Sequence, residues 1–174
     1  MTTRRAVLLT GAAAVMLSGC GFKLRQPPSL SFQSIRSPGG FGSPVARELM
    51  RALQQAGVRV LPPEPARLPG LPAPDTELAD VVLDVLTDQR ERAVVGITAT
   101  GQVRELQLRT RFRFRLRSGQ GADLIDDSEL LQTRDISFTE TAVLGKEAEE
   151  ALMYKDMQTD IVLQVLRRLS VVKR

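Results

Sequence analysis

Five arginines at every second position are the residues of this sequence with the most evident chemistry. They are Arg109, Arg111, Arg113, Arg115 and Arg117, and we call them the arginine row. A guanidinium group presents several N–H donors in one plane, which suits bidentate hydrogen bonding to phosphate or carboxylate groups. Side chains two residues apart on a strand lie about 6.8 Å apart, so neighbouring guanidinium groups repel by roughly 0.6 kcal/mol even in water. The row therefore predicts an anionic neighbour.

The arginine row belongs to a segment, residues 102–117, in which polar and apolar residues alternate. The arginines share their parity with Glu105 and Gln107. The opposite parity carries Leu106, Leu108, Thr110, Phe112, Phe114 and Leu116. A period of two is typical of a β-strand with one face in the core and one in solvent. The segment is therefore predicted to be a strand whose solvent face is the arginine row.

Two interpretations of the row are open. In the first, it is a solvated sheet face that Asp127, Glu129 and Asp135 of the next predicted strand partly neutralise, since opposed pairs contribute roughly 0.2 to 1 kcal/mol. In the second, the row binds a phosphorylated lipid or the acidic wall of a partner protein. Nucleic acid is not an expected partner, because the phenylalanines lie on the other face and cannot stack on bases beside the arginines.

Two lysines of the predicted last helix are separate candidates for anion binding. Lys146 lies at the start of this helix and Lys155 lies further along it. Each is also compatible with an ordinary solvated position on the helix surface. We carry Lys146 forward as a ligand-binding candidate together with Arg109, Arg111, Arg113 and Arg115.

The composition argues against an enzyme. The 174 residues include no His, no Trp and a single Cys, which excludes a histidine general base, a Ser-His-Asp triad and almost every zinc site. We therefore expect no catalytic residue, no cofactor and no metal. With 43% hydrophobic and 25% charged residues, the chain fits one globular domain. The net charge of +4 includes Arg4 and Arg5 near the amino terminus, so the local row is more informative than the total.

The amino terminus has the order of a secretory signal peptide. Arg4 and Arg5 precede an apolar run over residues 6–17, which is too short to span a bilayer. The run leads into Leu17–Cys20, which resembles the lipobox of bacterial lipoproteins. Cys20 is then expected to carry the lipid and to become the first residue of the mature chain.

The predicted boundaries follow from this site. Residues 1–19 are the signal peptide, 20–28 a lipidated tether, and 29–174 a single domain. Lasting attachment needs more than one acyl chain, at about 0.8 kcal/mol per buried methylene. Gly21 after the lipidated cysteine favours the outer membrane, by resemblance to the sorting of such lipoproteins. Twin-arginine export through Arg4 and Arg5 is a weak alternative to the general route.

The elements of the domain can be read from periodicity and turn signals. Ser43 and Pro44 predict a helix start and Gly57 its end. The last helix is predicted over residues 146–169. In each helix, apolar residues at three- and four-residue spacing predict the buried stripe: Val45, Leu49, Leu53 and Ala56 in the first, and Tyr154, Met157, Ile161, Val165 and Leu169 in the last. Strands are predicted over residues 29–35, 58–61, 79–86 with a possible continuation to 97, 102–117 and 124–138. Strand, helix and short strand at the amino end would form a right-handed crossover. The proline-rich residues 62–74 predict an extended surface loop.

Particular segments resemble the LptE family of lipopolysaccharide-assembly lipoproteins. The resemblance covers essentially the whole chain and is most specific near the carboxyl end. The segments that carry it are Cys20–Arg25, Arg134–Phe138, Glu140–Glu150 and Asp156–Ile161. It implies an α+β fold, a two-layer α/β sandwich with two helices packed on one face of a mainly four-stranded mixed sheet.

The resemblance also implies a function without catalysis. Such a protein would be lipid-anchored in the outer membrane, would face the periplasm and would lie within the lumen of an LptD-type β-barrel. There it would plug the barrel, help to assemble it and bind lipopolysaccharide. Lys146 matches a basic helix-start position of the family. Ala99 stands where another basic residue is looked for, which would transfer that role to Arg92, Arg104 or the row. The alternative is a structural lipoprotein of another envelope complex.

Overall fold

The computed structural model describes residues 29–64, 77–137 and 143–173. The predicted signal peptide, Cys20 and the tether lie outside the described residues, as does most of the proline-rich loop. Along the chain the elements are β1 (Ser34–Arg36), α1 (Pro44–Gln55), β2 (Arg59–Leu61), β3 (Val81–Ile97), β4 (Val103–Ser118), β5 (Asp123–Ser137) and α2 (Val143–Val171).

The strands form one mixed sheet in the order β2-β1-β3-β4-β5. β1 pairs in parallel with β2 and β3, and β3, β4 and β5 follow one another as antiparallel neighbours. The prediction that residues 79–86 form a central strand continuing to 97 is confirmed, as is the hairpin between β3 and β4. The two helices and the mixed sheet implied by the resemblance are present, but the sheet has five strands instead of mainly four. The three residues of β2 pair with β1, from Ser34 opposite Arg59 to Arg36 opposite Leu61.

β1 is shorter than the predicted strand of residues 29–35. The backbone amides of Gln33 and Ser34 donate to Asp80 Oδ2 at 2.8 and 3.0 Å. In return, Asp80 N donates to Ser34 Oγ at 2.9 Å. Because a side chain takes these donors, the regular ladder with β3 starts only at Ile35, which pairs with Val81.

Both helices pack on the apolar face of the sheet. The predicted stripes are confirmed, since Val45, Leu49 and Leu53 of α1 are buried, as are Met157, Ile161, Val165 and Leu169 of α2. On β4, Phe112 and Phe114 are fully buried in the same cluster as both helices. The alternation of β4 therefore assigns its faces as predicted, and the arginine row lies on the face away from the helices.

The start of α1 is capped from another strand. Ser43 occupies the N-cap position with Pro44 after it, as predicted, but its side chain makes no capping hydrogen bond. Instead, the backbone amides of Val45 and Ala46 donate to Asp88 Oδ2 of β3 at 2.9 and 3.2 Å. A carboxylate at this position satisfies free amides and lies favourably at the positive end of the helix dipole.

The domain is long in one direction. The 17 residues of β3 extend about 56 Å, and the 29 residues of α2 extend about 43 Å. The turn between β3 and β4 forms one end, which we call the tip. The turn between β4 and β5, the start of β3 and the end of α2 form the other, which we call the base. None of the described helices is both long and apolar enough to cross a membrane.

The described chain begins at the base. Ser31 Oγ donates to the carbonyl of Val172 at 2.8 Å, so the first described residues lie beside the end of α2. Gly119 N donates to the carbonyl of Asp80 at 2.9 Å. A Cβ at position 119 would overlap the carbonyl oxygen of Ala79, so the close approach of the β4–β5 turn to β3 requires glycine.

Candidate functional site

The arginine row lies along the middle of the solvent face of the sheet. β4 is flanked by β3 on one side and β5 on the other, so carboxylates on either neighbour can reach the guanidinium groups. The side chains of Arg111, Arg113 and Arg115 are 37%, 42% and 42% exposed. These side chains are therefore sufficiently exposed to solvent to contact a ligand.

Asp84 of β3 pairs with the two arginines nearest the base. Arg117 Nε donates to Asp84 Oδ2 at 2.8 Å, and Arg117 Nη2 donates to Asp84 Oδ1 at 3.1 Å. Arg115 contacts the same carboxylate at 3.3 Å. The hydrogen bond to Asp84 raises the pKa of Arg117. Asp84 is the polar residue of the otherwise apolar segment 81–86, and its pairing with the row follows from the β3–β4 register, which the sequence does not show.

Acidic residues of β5 pair with the next two arginines. Arg113 Nε donates to Asp127 Oδ1 at 2.9 Å, and a second bond joins Arg113 to Asp127 Oδ2. Arg111 contacts Glu129 Oε1 at 3.4 Å. The predicted pairing of Asp127 and Glu129 with the row is therefore confirmed. The hydrogen bond from Arg113 lowers the pKa of Asp127, so this pair is retained on acidification until the pH falls through that lowered value.

The predicted pairing of Asp135 with the row is wrong. Asp135 lies opposite Gln107 in the β4–β5 register, and Gln107 Nε2 donates to Asp135 Oδ1 at 2.9 Å. The carboxylate thus meets an amide instead of a guanidinium group. Gln107 Oε1 in turn accepts from Arg109 Nε at 2.8 Å.

Arg109 and Arg111 are the least neutralised members of the row. Among the residues that the structure describes, Arg109 forms no ion pair within 4 Å. Thr133 lies opposite it on β5, and Glu91 lies opposite it on β3 without forming such a pair. Arg111 has its 3.4 Å contact with Glu129, while its buried Nε has no hydrogen-bond partner in the described part of the chain. These two guanidinium groups are therefore the ones least engaged by carboxylates. An anion would reach them through their terminal nitrogens, since Nε of Arg111 is buried and Nε of Arg109 already donates to a side-chain amide.

Lys146 lies away from the arginine row. α2 packs on the opposite, apolar face of the sheet, through Tyr154 and Met157 among others. Lys146 Nζ pairs with Glu149 at 2.8 Å within this helix. The structure therefore does not bring the predicted candidates together as one site. Lys155 is an exposed residue of the same helix.

Arg92 and Arg104, the residues considered as substitutes for a basic side chain at position 99, also lie in different parts of the structure. Ala99 is exposed in the turn at the tip, and Arg104 is exposed near the start of β4. Arg92 contacts Glu150 of α2 at 3.4 Å, which places it with the helix layer. In the same region Arg90 lies over the ring of Tyr154, 5.2 Å from its centre, and the Tyr154 hydroxyl donates to the carbonyl of Glu91 at 2.7 Å.

Comparison with known proteins assigns the family. The sequence matches the LptE lipopolysaccharide-assembly family over residues 28–169, which includes every strand and nearly all of α2. The chain belongs to the LptE family. The resemblance noted from the sequence is therefore confirmed, and the protein is a lipopolysaccharide-assembly lipoprotein of the cell envelope.

Solved structures agree with the LptE assignment. The solution NMR structure of lipoprotein B from Nitrosomonas europaea is 29% identical, with 86% of this chain and 90% of that chain covered and a TM-score of 0.65. Rare lipoprotein B from Shewanella oneidensis is 19% identical, with 77% and 89% covered and a TM-score of 0.58. A minor lipoprotein from Acinetobacter baumannii is 18% identical, with 81% and 92% covered and a TM-score of 0.58. The last two support the LptE fold alone. Among curated proteins, none matches the sequence.

Proposed function

We propose that this protein is an outer-membrane lipoprotein, anchored through Cys20, that plugs and helps to assemble an LptD-type β-barrel and binds lipopolysaccharide during delivery to the cell surface. The family match over residues 28–169 carries the proposal. The protein acts by binding and scaffolding, without catalysis and without a cofactor. Arg109, Arg111, Arg113, Arg115 and Lys146 are its candidate contacts with lipopolysaccharide or with acidic groups of the barrel.

The distribution of ion pairs along the arginine row supports a ligand contact centred on Arg109 and Arg111. Lipopolysaccharide carries phosphate groups, and a guanidinium group binds phosphate oxygens through paired hydrogen bonds. Arg113, Arg115 and Arg117 already use their donors on Asp127 and Asp84. A phosphate would have to displace a hydrogen-bonded carboxylate there. At Arg109 it would meet no ion pair, and at Arg111 only the 3.4 Å contact with Glu129.

A paired set of variants tests this division of the row. We expect Arg109→Gln with Arg111→Gln to weaken lipopolysaccharide binding by about tenfold or more, because each charge-assisted hydrogen bond to a phosphate contributes about 1.5 to 3 kcal/mol. Surface plasmon resonance with immobilised lipopolysaccharide measures the change. The circular dichroism spectrum should not change, since both side chains lie on the solvent face of β4.

The matched control is Arg113→Gln with Arg115→Gln, which removes the same charge from the same strand. Its effect on binding should be clearly smaller, because these arginines are occupied by carboxylates. Unchanged binding in the first double variant would mean that the row is a solvated sheet face. Equal losses in both would mean that the net charge, and not the free donors, determines binding.

The tip supports a protein partner. Val94, Val95 and Ile97 are 54%, 48% and 66% exposed, and a group of exposed apolar side chains in one place is typical of an interaction surface. The wall of a surrounding barrel would cover them. Affinity purification of the tagged protein after gentle solubilisation should recover an LptD-type barrel. Recovery of a different envelope complex instead would favour the alternative of a structural lipoprotein elsewhere in the envelope.

A further inference from the structure

The base carries an open groove that no part of the proposed function uses. It lies between the end of α2 and the start of β5 and has a volume of about 830 Å³. Leu124, Ile125 and Val172 contribute apolar surface to it. Val171 lines it as well and is 77% exposed. The groove therefore leaves apolar side chains in contact with water.

Three basic residues surround this apolar surface. Arg167, Arg168 and Lys173 line the groove and are exposed. None of them forms an ion pair with a residue inside the described ranges. Asp123 is the acidic residue of the lining, and it lies opposite Arg117 of the row in the β4–β5 register. The groove thus has an excess of positive charge.

A second exposed apolar residue lies on the same end of the molecule. Leu78 is 78% exposed and lines an adjoining groove that shares Leu124 and Lys173 with the first. Basic side chains beside exposed apolar ones are typical of surfaces that rest on a membrane interface. The cations then meet anionic head groups and the apolar side chains enter the interfacial region.

The length of chain before the domain limits where the base can lie. Ser31 bonds to Val172 at the edge of the groove. Cys20 precedes the first described residue, Ser29, by nine positions, and nine residues span at most about 32 Å. A lipid on Cys20 therefore limits the base, and not the tip, to within about 32 Å of the membrane surface.

We propose that the base is a membrane-docking surface, in which Arg167, Arg168 and Lys173 bind anionic phospholipid head groups and Val171 enters the interface. The partner is the leaflet that holds the anchor. The proposal uses from the proposed function only the lipid on Cys20. On a vesicle that contains no barrel, docking at the base holds the tip, with Val94, Val95 and Ile97, away from the membrane.

Fluorescence quenching in vesicles tests the orientation. Cys20 is the single cysteine of the sequence and is blocked by its lipid, so Val171→Cys introduces a unique thiol for an environment-sensitive fluorophore. Ala99→Cys at the tip is the positional control. The lipidated protein, its acylation verified by mass spectrometry, is inserted into vesicles of brominated phosphatidylcholine with or without phosphatidylglycerol. We expect strong quenching at 171 in anionic vesicles, weak quenching at 99, and a decrease at 171 with added salt.

Charge variants in the Val171→Cys background test the head-group contact. Arg167→Gln, Arg168→Gln and Lys173→Gln together should reduce the docked population, by roughly fivefold for each cation removed from an anionic surface. The matched control is Arg47→Gln, Arg51→Gln and Lys155→Gln, an equal charge change at exposed helix positions. It should leave quenching at 171 unchanged.

Several results would overturn the proposal. Equal quenching at 171 and 99 would show that the base is not held against the membrane. Equal quenching at 171 with and without phosphatidylglycerol would show that the base inserts apolar side chains but does not bind anionic head groups. An unlipidated Cys20 would remove the restraint on the base. Because the vesicles contain neither lipopolysaccharide nor a barrel, all these results are independent of whether the protein binds either of them.

Discussion

Replacing Phe112 with alanine is expected to lower the free energy of unfolding by about 3 to 5 kcal/mol. Phe112 is fully buried between the sheet and the helices. Its ring stacks on that of Phe114 with centres 5.8 Å apart, and such pairs contribute about 0.5 to 1.5 kcal/mol beyond the area they bury. The substitution removes this contact and leaves a cavity that the surrounding strands can close only in part. Urea denaturation followed by far-ultraviolet circular dichroism measures the change.

Leu131→Ala provides the matched control for this experiment. Leu131 lies opposite Arg111 on β5, on the solvent face, and is 48% exposed. Its truncation should cost less than about 1 kcal/mol, because about half of the residue still contacts water in the folded state. If the two variants were equally stable, the assignment of core and solvent faces to the sheet would be wrong.

Replacing Arg36 with methionine is expected to lower the free energy of unfolding by about 2 to 4 kcal/mol. The side chain of Arg36 is 5% exposed and donates in three directions. Its acceptors are the carbonyl of Pro62 at 3.0 Å, the carbonyl of Glu77 at 2.6 Å and the carboxylate of Glu64 at 3.1 Å. Methionine fills much of the same volume but leaves two carbonyl groups without this donor. Chemical denaturation again measures the difference.

Arg59→Met separates this effect from the loss of a surface charge. Arg59 pairs with Glu77 at 2.8 Å, but its side chain is 64% exposed, so the cost should remain below about 1 kcal/mol. Arg36→Lys keeps the charge and lacks the planar arrangement of donors, so we expect it to be intermediate. If Arg36→Lys were as stable as the unchanged protein, the positive charge alone, and not the planar set of donors, would account for the contacts of Arg36 with Pro62, Glu64 and Glu77.

The faces of the strands could be predicted from the sequence because the period of a strand is local. The alternation around Phe112 and Phe114 assigned the buried face of β4 correctly. The four-residue spacing of Leu49 and Leu53 assigned the buried stripe of α1. Each pattern depends only on the direction of successive side chains along one element. No knowledge of the neighbouring elements was needed.

Features that depend on contacts between elements were not predictable in this way. Asp84 reaches Arg115 and Arg117 because the β3–β4 register places it directly opposite Arg115. Asp88 caps α1 from a strand more than 40 residues away in the chain. The sequence likewise could not show that Lys146 and the arginine row lie on different layers, since that depends on which face of the sheet receives α2.

The last strand of the sheet has a consequence for self-association. In the described part of the chain, β5 pairs on one side only, with β4, so its other backbone edge is free to accept a strand from a second molecule. The strand carries five acidic residues and one arginine: Asp123, Asp126, Asp127, Glu129, Asp135 and Arg134. Two such edges brought together would place like charges side by side, which disfavours edge-to-edge aggregation. The acids that neutralise the arginine row thus also protect the sheet from polymerising.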